Sequence, residues 1–140
     1  MERIKIANTD PEIEGCFPVM VQLRPQVDKD SFVERIRRQM TNGYQLAFVE
    51  SQGLVVGVAG FRVYENLWLG KFLYVDDLVA DERNRSKGVG KRLFRWLTDF
   101  ARANGCSHLE LDSGVQRFGA HRFYLREGMD ISDHHFSLKL

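Results

Sequence analysis

The stretch Phe72-Leu73-Tyr74-Val75-Asp76-Asp77-Leu78-Val79-Ala80, followed after Asp81-Glu82-Arg83-Asn84 by Arg85-Ser86-Lys87-Gly88-Val89-Gly90-Lys91, decides how the chain is read. Phe72 to Ala80 is strand-like, rich in aromatic and branched residues. From Val89 to Ala103 the apolar residues Val89, Leu93, Leu97, Phe100 and Ala101 recur at helical spacing, with Lys91, Arg92, Arg95, Asp99 and Arg102 opposite them. A strand, a basic glycine-containing turn and a helix N-terminus together make an anion site. The first N–H groups of a helix lack internal partners, and the macrodipole places partial positive charge there. A phosphate or pyrophosphate accepts those bonds. Gly88 and Gly90 lack a Cβ and admit a ligand close to the backbone. A basic helix start with a spare glycine pair is the other reading of the same residues.

Working outward, Asn104-Gly105 stops the helix, Cys106 to Asp112 reads as a strand, and Gly119 to Arg126 as a short helix closed at Gly128. His134 to Leu140 is expected to be a last strand, with Phe136 and Leu138 on one face. Upstream, Tyr44–Glu50 and Leu54–Tyr64 flank a tight turn at Ser51-Gln52-Gly53, a hairpin signature. Before it come a strand over Arg3–Ala7, a helix opened by Asp10-Pro11 and ended by Pro25, and a second helix over Asp28–Met40. The order is βααββ, then strand-turn-helix, then strand, helix and strand. The hairpin is antiparallel, while the later strand-helix-strand favours a parallel crossover. We expect one α/β domain over residues 1–140 around a mixed, mostly antiparallel sheet flanked by helices.

Composition narrows the function. The chain has 140 residues and a formal net charge of +1. From Asp81 to Arg102 seven basic residues stand against three acidic ones, +4 locally, leaving −3 elsewhere. A local basic patch on a near-neutral chain fits a small polyanion better than a nucleic acid duplex; a solvated helix face accounts for part of it. Two cysteines, Cys16 and Cys106, show no metal-site spacing and are expected as buried free thiols, with no metal. The N-terminal residues lack an apolar signal core, and no run approaches the ~20 apolar residues of a membrane span. A soluble cytoplasmic protein is expected.

The element order and two motifs resemble the GNAT superfamily of acyl-CoA-dependent N-acetyltransferases. Arg85-x-x-Gly88-x-Gly90 fits that family's turn between strand and helix, Asp77-Leu78-Val79-Ala80 resembles its preceding strand end, and Ala120-His121-Arg122-Phe123-Tyr124-Leu125-Arg126-Glu127-Gly128-Met129 resembles its later block. The resemblance covers essentially the whole chain. It implies the three-layer fold, acetyl-CoA as co-substrate, and a turn whose backbone from Arg85 through Ser86, Lys87, Gly88, Val89 and Gly90 to Lys91 holds the pyrophosphate. It implies that the pantetheine arm pairs with the backbone of Leu78, Val79 and Ala80, and that Ala120, Phe123 and Tyr124 also lie along the cofactor. Arg117 stands where many members carry Asn, and either contacts a CoA phosphate or is solvent-exposed. Asp81-Glu82 replaces a frequent Pro.

Acetyl transfer to an amine needs a base for the amine, donors for the oxyanion and an acid for the leaving thiolate. By motif position Tyr124 is the acid; a packed aromatic beside Phe123 is the alternative. A backbone N–H near Leu78 is expected to be the oxyanion donor. For the base, the adjacent carboxylates Asp76 and Asp77 are costly inside an apolar strand unless paired or solvated, and they face opposite sides unless a bulge intervenes. Asp77 is preferred, with Asp76 next; a structural ion pair is the alternative. His121, His134 and His135 are further candidates, with structural or exposed roles as the competing reading. Leu23–Val27, Phe61–Trp68 and the C-terminal strand are expected to form the acceptor pocket, with Tyr64, Leu67, Trp68 and Phe72 as an apolar wall and Glu65, Asp76 and Asp77 attracting a cation. The expected reaction is direct attack by a small-molecule amine, or a peptide amine, in a ternary complex. No nucleic acid or membrane partner is expected, and a homodimer is left open. A catalytically silent CoA-binding module with the same fold is the alternative.

Overall fold

Residues 3–85 and 87–140 are described by the computed structural model. In chain order the elements are β1 (Arg3–Ile6), α1 (Asp10–Leu23), α2 (Lys29–Met40), β2 (Gln45–Ser51), β3 (Leu54–Asn66), β4 (Gly70–Ala80), a 3-10 turn (Glu82–Asn84), α3 (Val89–Ala103), β5 (His108–Leu111) and α4 (Phe118–Arg126). The strands form one mixed five-stranded sheet in the order β1-β2-β3-β4-β5. β1–β2, β2–β3 and β3–β4 are antiparallel. The chain divides into two compact units at the Glu110–Leu111 bond.

Local chemistry explains the boundaries. Thr9 caps α1: its hydroxyl accepts from the Glu12 N–H at 3.2 Å, and the Glu12 carboxylate accepts from the Thr9 N–H at 3.0 Å. At the other end Pro25 disfavours helical geometry for the residue before it. Arg24 accordingly leaves the helix at φ −121°, ψ 70°. Helix α3 occupies the expected span, with Val89, Leu93, Phe94, Leu97 and Ala101 buried.

The first unit has helices on both faces of the sheet. Leu46, Phe48, Val58 and Val79 pack with Ile13, Cys16, Val19 and Met20 of α1 and Phe32 and Ile36 of α2. Neighbouring strand positions face the other way. There Gly57 lies under α3, where a Cβ would meet Val89 and stand 3.0 Å from Leu93 Cδ1. Phe61 packs edge-on against Trp96 and Phe100, at 5.9 and 5.1 Å between ring centres. Burial raises the Cys16 thiol to about 12; Cys106 is also free but only half-buried.

The expected strand at His134–Leu140 is absent: residues 129–140 carry no helix or strand, and Phe136, Leu138 and Leu140 are exposed. Alternation is a local pattern, whereas a strand needs a neighbouring backbone to complete its hydrogen bonds.

Candidate active site

The turn between β4 and α3 is held by a buried carboxylate. Asp81 is 1% exposed, and its N–H donates to the Val56 carbonyl at 2.8 Å. Its side chain accepts from Gln22 Nε2 at 3.2 Å, from the Arg83 N–H at 3.2 Å and from Arg83 Nη2 at 2.9 Å. Those bonds, Arg83's first, hold the Asp81 carboxyl below the ordinary carboxylate range against the opposing effect of burial. The Glu82 N–H donates to Gln22 Oε1 at 3.0 Å, so the strand exit is tied to α1.

Gly88 caps α3 in the left-handed region, at φ +79°. That conformation suits glycine. With no side chain it supplies no capping acceptor, and the Arg92 N–H is bonded to the Gly88 carbonyl at 3.0 Å. The N–H groups of Val89, Gly90 and Lys91 thus belong to the first turn of the helix, where backbone donors lack intrahelical acceptors and an anion can accept them. Arg85, Lys87, Gly88, Val89, Gly90 and Lys91 all lie along this turn and first helical segment; Ser86 falls outside the described residues.

The strand end Leu78–Ala80 pairs with β3 on one side: Leu78 with Ala59, Val79 with Val58, Ala80 with Gly57. On the other side β5 has only four residues against eleven in β4. Ser107, immediately before β5, donates its N–H to the Lys71 carbonyl at 2.9 Å, near the opposite end of β4. The Val79 side chain belongs to the core and that of Leu78 is half-buried.

Asp76 and Asp77 share one cleft. The β3–β4 register shifts between Gly60 and Phe61: Gly60 pairs with Asp77 but Phe61 with Val75. Asp76 is the extra residue, and such a bulge releases adjacent side chains from strict alternation. Both carboxylates line a cleft of about 610 Å³ with Arg24, Arg62, Tyr64 and Tyr74, a size that suits a small molecule. Asp77 Oδ1 accepts from Arg24 Nε at 2.8 Å, and Asp77 Oδ2 from the Tyr44 hydroxyl at 2.8 Å. Asp76 Oδ2 accepts from Arg62 Nε at 2.8 Å. Arg24 Nη2 also donates to the Asp76 carbonyl at 2.7 Å. Tyr44 is 2% exposed; burial and the Asp77 charge push its phenol well above the ordinary tyrosine range. Of the expected apolar wall, Tyr64 lines the cleft, Phe72 is buried, and Leu67 and Trp68 are exposed. Of the carboxylates expected to attract a cation, Asp76 and Asp77 are each paired with a guanidinium, and Glu65 is exposed. Arg24, Tyr44, Gly60 and Arg62 were not legible in the sequence as individual site residues, although Arg24 lies in the expected Leu23–Val27 segment before a proline and Arg62 in the expected Phe61–Trp68 segment.

In the second unit, α4 carries Ala120, Phe123 and Tyr124, with Arg117 at its N-cap. Tyr124 packs edge-on against Phe123 at 5.5 Å. Burial raises the Tyr124 phenol, with the Arg117 guanidinium opposing the shift. His121 Nε2 is 2.8 Å from the Gly114 carbonyl, which fixes that nitrogen as the donor. His135 Nδ1 lies 3.5 Å from Asp112 Oδ2, and His134 is exposed. Among the described residues no group of three His, Cys, Asp or Glu is disposed to hold a metal, and no helix is long and apolar enough to cross a membrane.

A three-layer unit with a glycine-capped helix after a long strand is the arrangement that the resemblance to acyl-CoA-dependent N-acetyltransferases implies. The acetyltransferase (GNAT) family model matches residues 11–129, across both units, and the chain belongs to that family of acyl-CoA-dependent N-acetyltransferases. It is 30% identical over 125 residues to the uncharacterized N-acetyltransferase YhdJ of Bacillus subtilis, covering 89% of this chain and 88% of that protein. It is 34% identical over 129 residues to the aminoalkylphosphonate N-acetyltransferase of Salmonella typhimurium, covering 89% and 80%. Its fold is similar to that of AAC(6')-Iy in complex with the bisubstrate analogue CoA-S-monomethyl-acetylneamine, with a TM-score of 0.85, 14% identity, and coverage of 100% and 98%.

Proposed function

We propose that this protein transfers the acetyl group of acetyl-CoA to the primary amine of a small molecule, by direct attack in a ternary complex within a single catalytic domain. The observation that carries the reading is the layout of β4. One strand bears the paired carboxylates at 76–77, the Leu78–Ala80 edge, and beyond it the glycine-capped start of α3. Pyrophosphate caps α3 through the backbone of Arg85 and residues 87–91, and the amide-rich pantetheine arm pairs with the Leu78–Ala80 edge. The fold neighbour bound to a CoA conjugate and the family membership support the same cofactor.

In the reaction the amine nitrogen forms a bond to the acetyl carbon, the C–S bond breaks, and a proton passes from the ammonium to a base while the thiolate takes one from an acid. The backbone N–H of Leu78 stabilises the oxyanion. Tyr124 is the acid, its raised phenol staying protonated at neutral pH. For the base we favour Asp76 over Asp77. Asp77 has both oxygens engaged by Arg24 and Tyr44, whereas Asp76 has only Oδ2 on Arg62. A small-molecule acceptor matches the cleft volume and the aminoalkylphosphonate and acetylneamine in the names of the relatives. We assign the reaction to the cytoplasm, consistent with two free thiols. We extend the reading to a homodimer, in which a second copy covers the exposed Phe136, Leu138 and Leu140; light scattering on the purified chain reads it. The deciding experiment measures acetyl-CoA-induced thermal stabilisation together with thiol release over an amine panel. Stabilisation and turnover are expected. Stabilisation without turnover on any amine indicates a silent CoA-binding module instead, and no stabilisation at millimolar acetyl-CoA removes the cofactor assignment.

A further inference from the structure

We infer that the acceptor amine also carries an oxyanion group, with its ammonium on Asp76 and its carboxylate, phosphate or phosphonate on Arg24. This rests on the acetyltransferase reading above and specifies what the cleft selects.

The cleft holds two guanidinium groups and two carboxylates, so its side-chain charges balance. Their bonding is unequal. Arg62 is 28% exposed and uses all three nitrogens: Nε on Asp76, Nη1 on the Asn42 carbonyl at 3.5 Å, Nη2 on Gln39 Oε1 at 3.2 Å. Arg24 is 41% exposed and uses Nε and Nη2, leaving Nη1 without a bond to the described residues. Asp77 has both oxygens occupied, while Asp76 Oδ1 has no bond to the described residues. Among its charged side chains the cleft therefore offers one vacant donor edge, on Arg24, and one vacant acceptor oxygen, on Asp76.

Those vacancies are close together, because Arg24 Nη2 already lies 2.7 Å from the backbone carbonyl of Asp76 itself. A short spacer between ammonium and oxyanion spans them. A plain alkylamine meets a carboxylate already neutralised by Arg62 and leaves the Arg24 edge unused. A zwitterion satisfies both and adds charge-assisted hydrogen bonds at each end. Asp77 is then a positioning residue. The buried Tyr44 hydroxyl fixes one of its oxygens, and the other holds Arg24, freed from α1 by Pro25, with its outer edge toward the cleft.

The test uses the full chain with acetyl-CoA and four acceptors: 2-aminoethylphosphonate and β-alanine, against ethylamine and propylamine. We expect kcat/KM at least tenfold higher for the two zwitterions, equivalent to about 1.4 kcal/mol. Arg24→Gln should lower kcat/KM for the two zwitterions at least fivefold more than for propylamine, and Arg24→Lys should restore part of the preference. If Arg24→Gln does not fold, the wild-type panel and Arg24→Lys decide. Equal kcat/KM for propylamine and the zwitterions overturns the inference, as does an equal loss on every amine in Arg24→Gln. No turnover on any of the four, with acetyl-CoA still stabilising the protein, also overturns it and leaves the cofactor reading standing. Absence of that stabilisation instead removes the acetyltransferase reading itself.

Discussion

Replacing Gly60 by alanine tests the carboxylate cleft without altering a charged atom. Gly60 faces Asp77 across the β3–β4 pair. A Cβ built on its backbone would overlap the Tyr44 hydroxyl and stand 2.7 Å from Asp77 Oδ2. Gly60 is outside the left-handed region, so the conflict is steric rather than conformational. Tyr44 has little room to withdraw: it is 2% exposed and its ring carries the Arg62 guanidinium at 5.4 Å. Overpacking typically costs ~1–3 kcal/mol, and loss of a hydrogen bond to a charged group ~1.5–3 kcal/mol. Reduced freedom of the unfolded chain returns ~0.4–1 kcal/mol. The expected net loss is about 2–4 kcal/mol, read as a urea midpoint lowered by about 1–2 M at an unchanged slope. Activity should fall further than stability alone requires, since small misplacements of positioning groups cost up to ~10²-fold in rate. In a Tyr44→Phe background the penalty should shrink but persist, because the hydroxyl conflict goes while the ring remains. A Gly60→Ala protein with wild-type midpoint and kcat/KM would refute the clamp of Tyr44 on Asp77.

Three other outcomes follow from the site. Gly88→Glu should fold yet lose CoA-induced thermal stabilisation, because a carboxylate and a Cβ at φ +79° would stand in the proposed pyrophosphate site; wild-type CoA affinity in the folded variant would move the phosphate site elsewhere. Tyr124→Phe should lower kcat and kcat/KM together by ~10²–10⁴-fold with CoA binding intact; near-wild-type kcat would assign the acid to another group. Asp81→Asn should destabilise the protein at pH 7 by about 1–2 kcal/mol. The folded pKa of Asp81 lies below its ordinary 3.8, so its contribution is present above that value and lost as pH falls through the folded pKa. The gap between wild type and Asp81→Asn in urea unfolding should therefore close below about pH 4, and a gap independent of pH would contradict the charged pairing.

What was legible in the sequence was chiefly local. Helix α3 matches Val89–Ala103, and β4 begins two residues before the expected Phe72. Both carry strong periodicity or β-formers over their whole length. The carboxylates were legible as an anomaly in an apolar strand, but their common cleft was not. That depends on a register shift against β3, which neither strand's own pattern encodes. Nor were their partners: Arg24 and Tyr44 reach Asp77 from 53 and 33 residues away in the chain. The C-terminal failure has the opposite cause. Phe136-Ser137-Leu138-Lys139-Leu140 alternates well, but alternation does not supply the neighbouring backbone a strand requires.

The bulge also bears on how one strand would serve both substrates of the proposed reaction. In an unbroken ladder Asp76 and Asp77 would point to opposite faces, one into the α1 side and one toward α3. Placing the extra residue at Asp76 turns both to the α1 side, while Val79 keeps its place in the core and Leu78 and Ala80 keep their pairing with β3. The backbone edge proposed for pantetheine thus begins within two residues of the proposed amine site. At roughly 3.3 Å per residue that is about 7 Å along a hydrogen-bonded strand. A reaction that needs an amine nitrogen held against a thioester carbon gains from this arrangement, since a strand fixes the spacing more tightly than two loops would. The same logic accounts for the buried Asp81. By tying the strand exit to Gln22 and Arg83, it carries that fixed spacing onward into the turn where α3 begins.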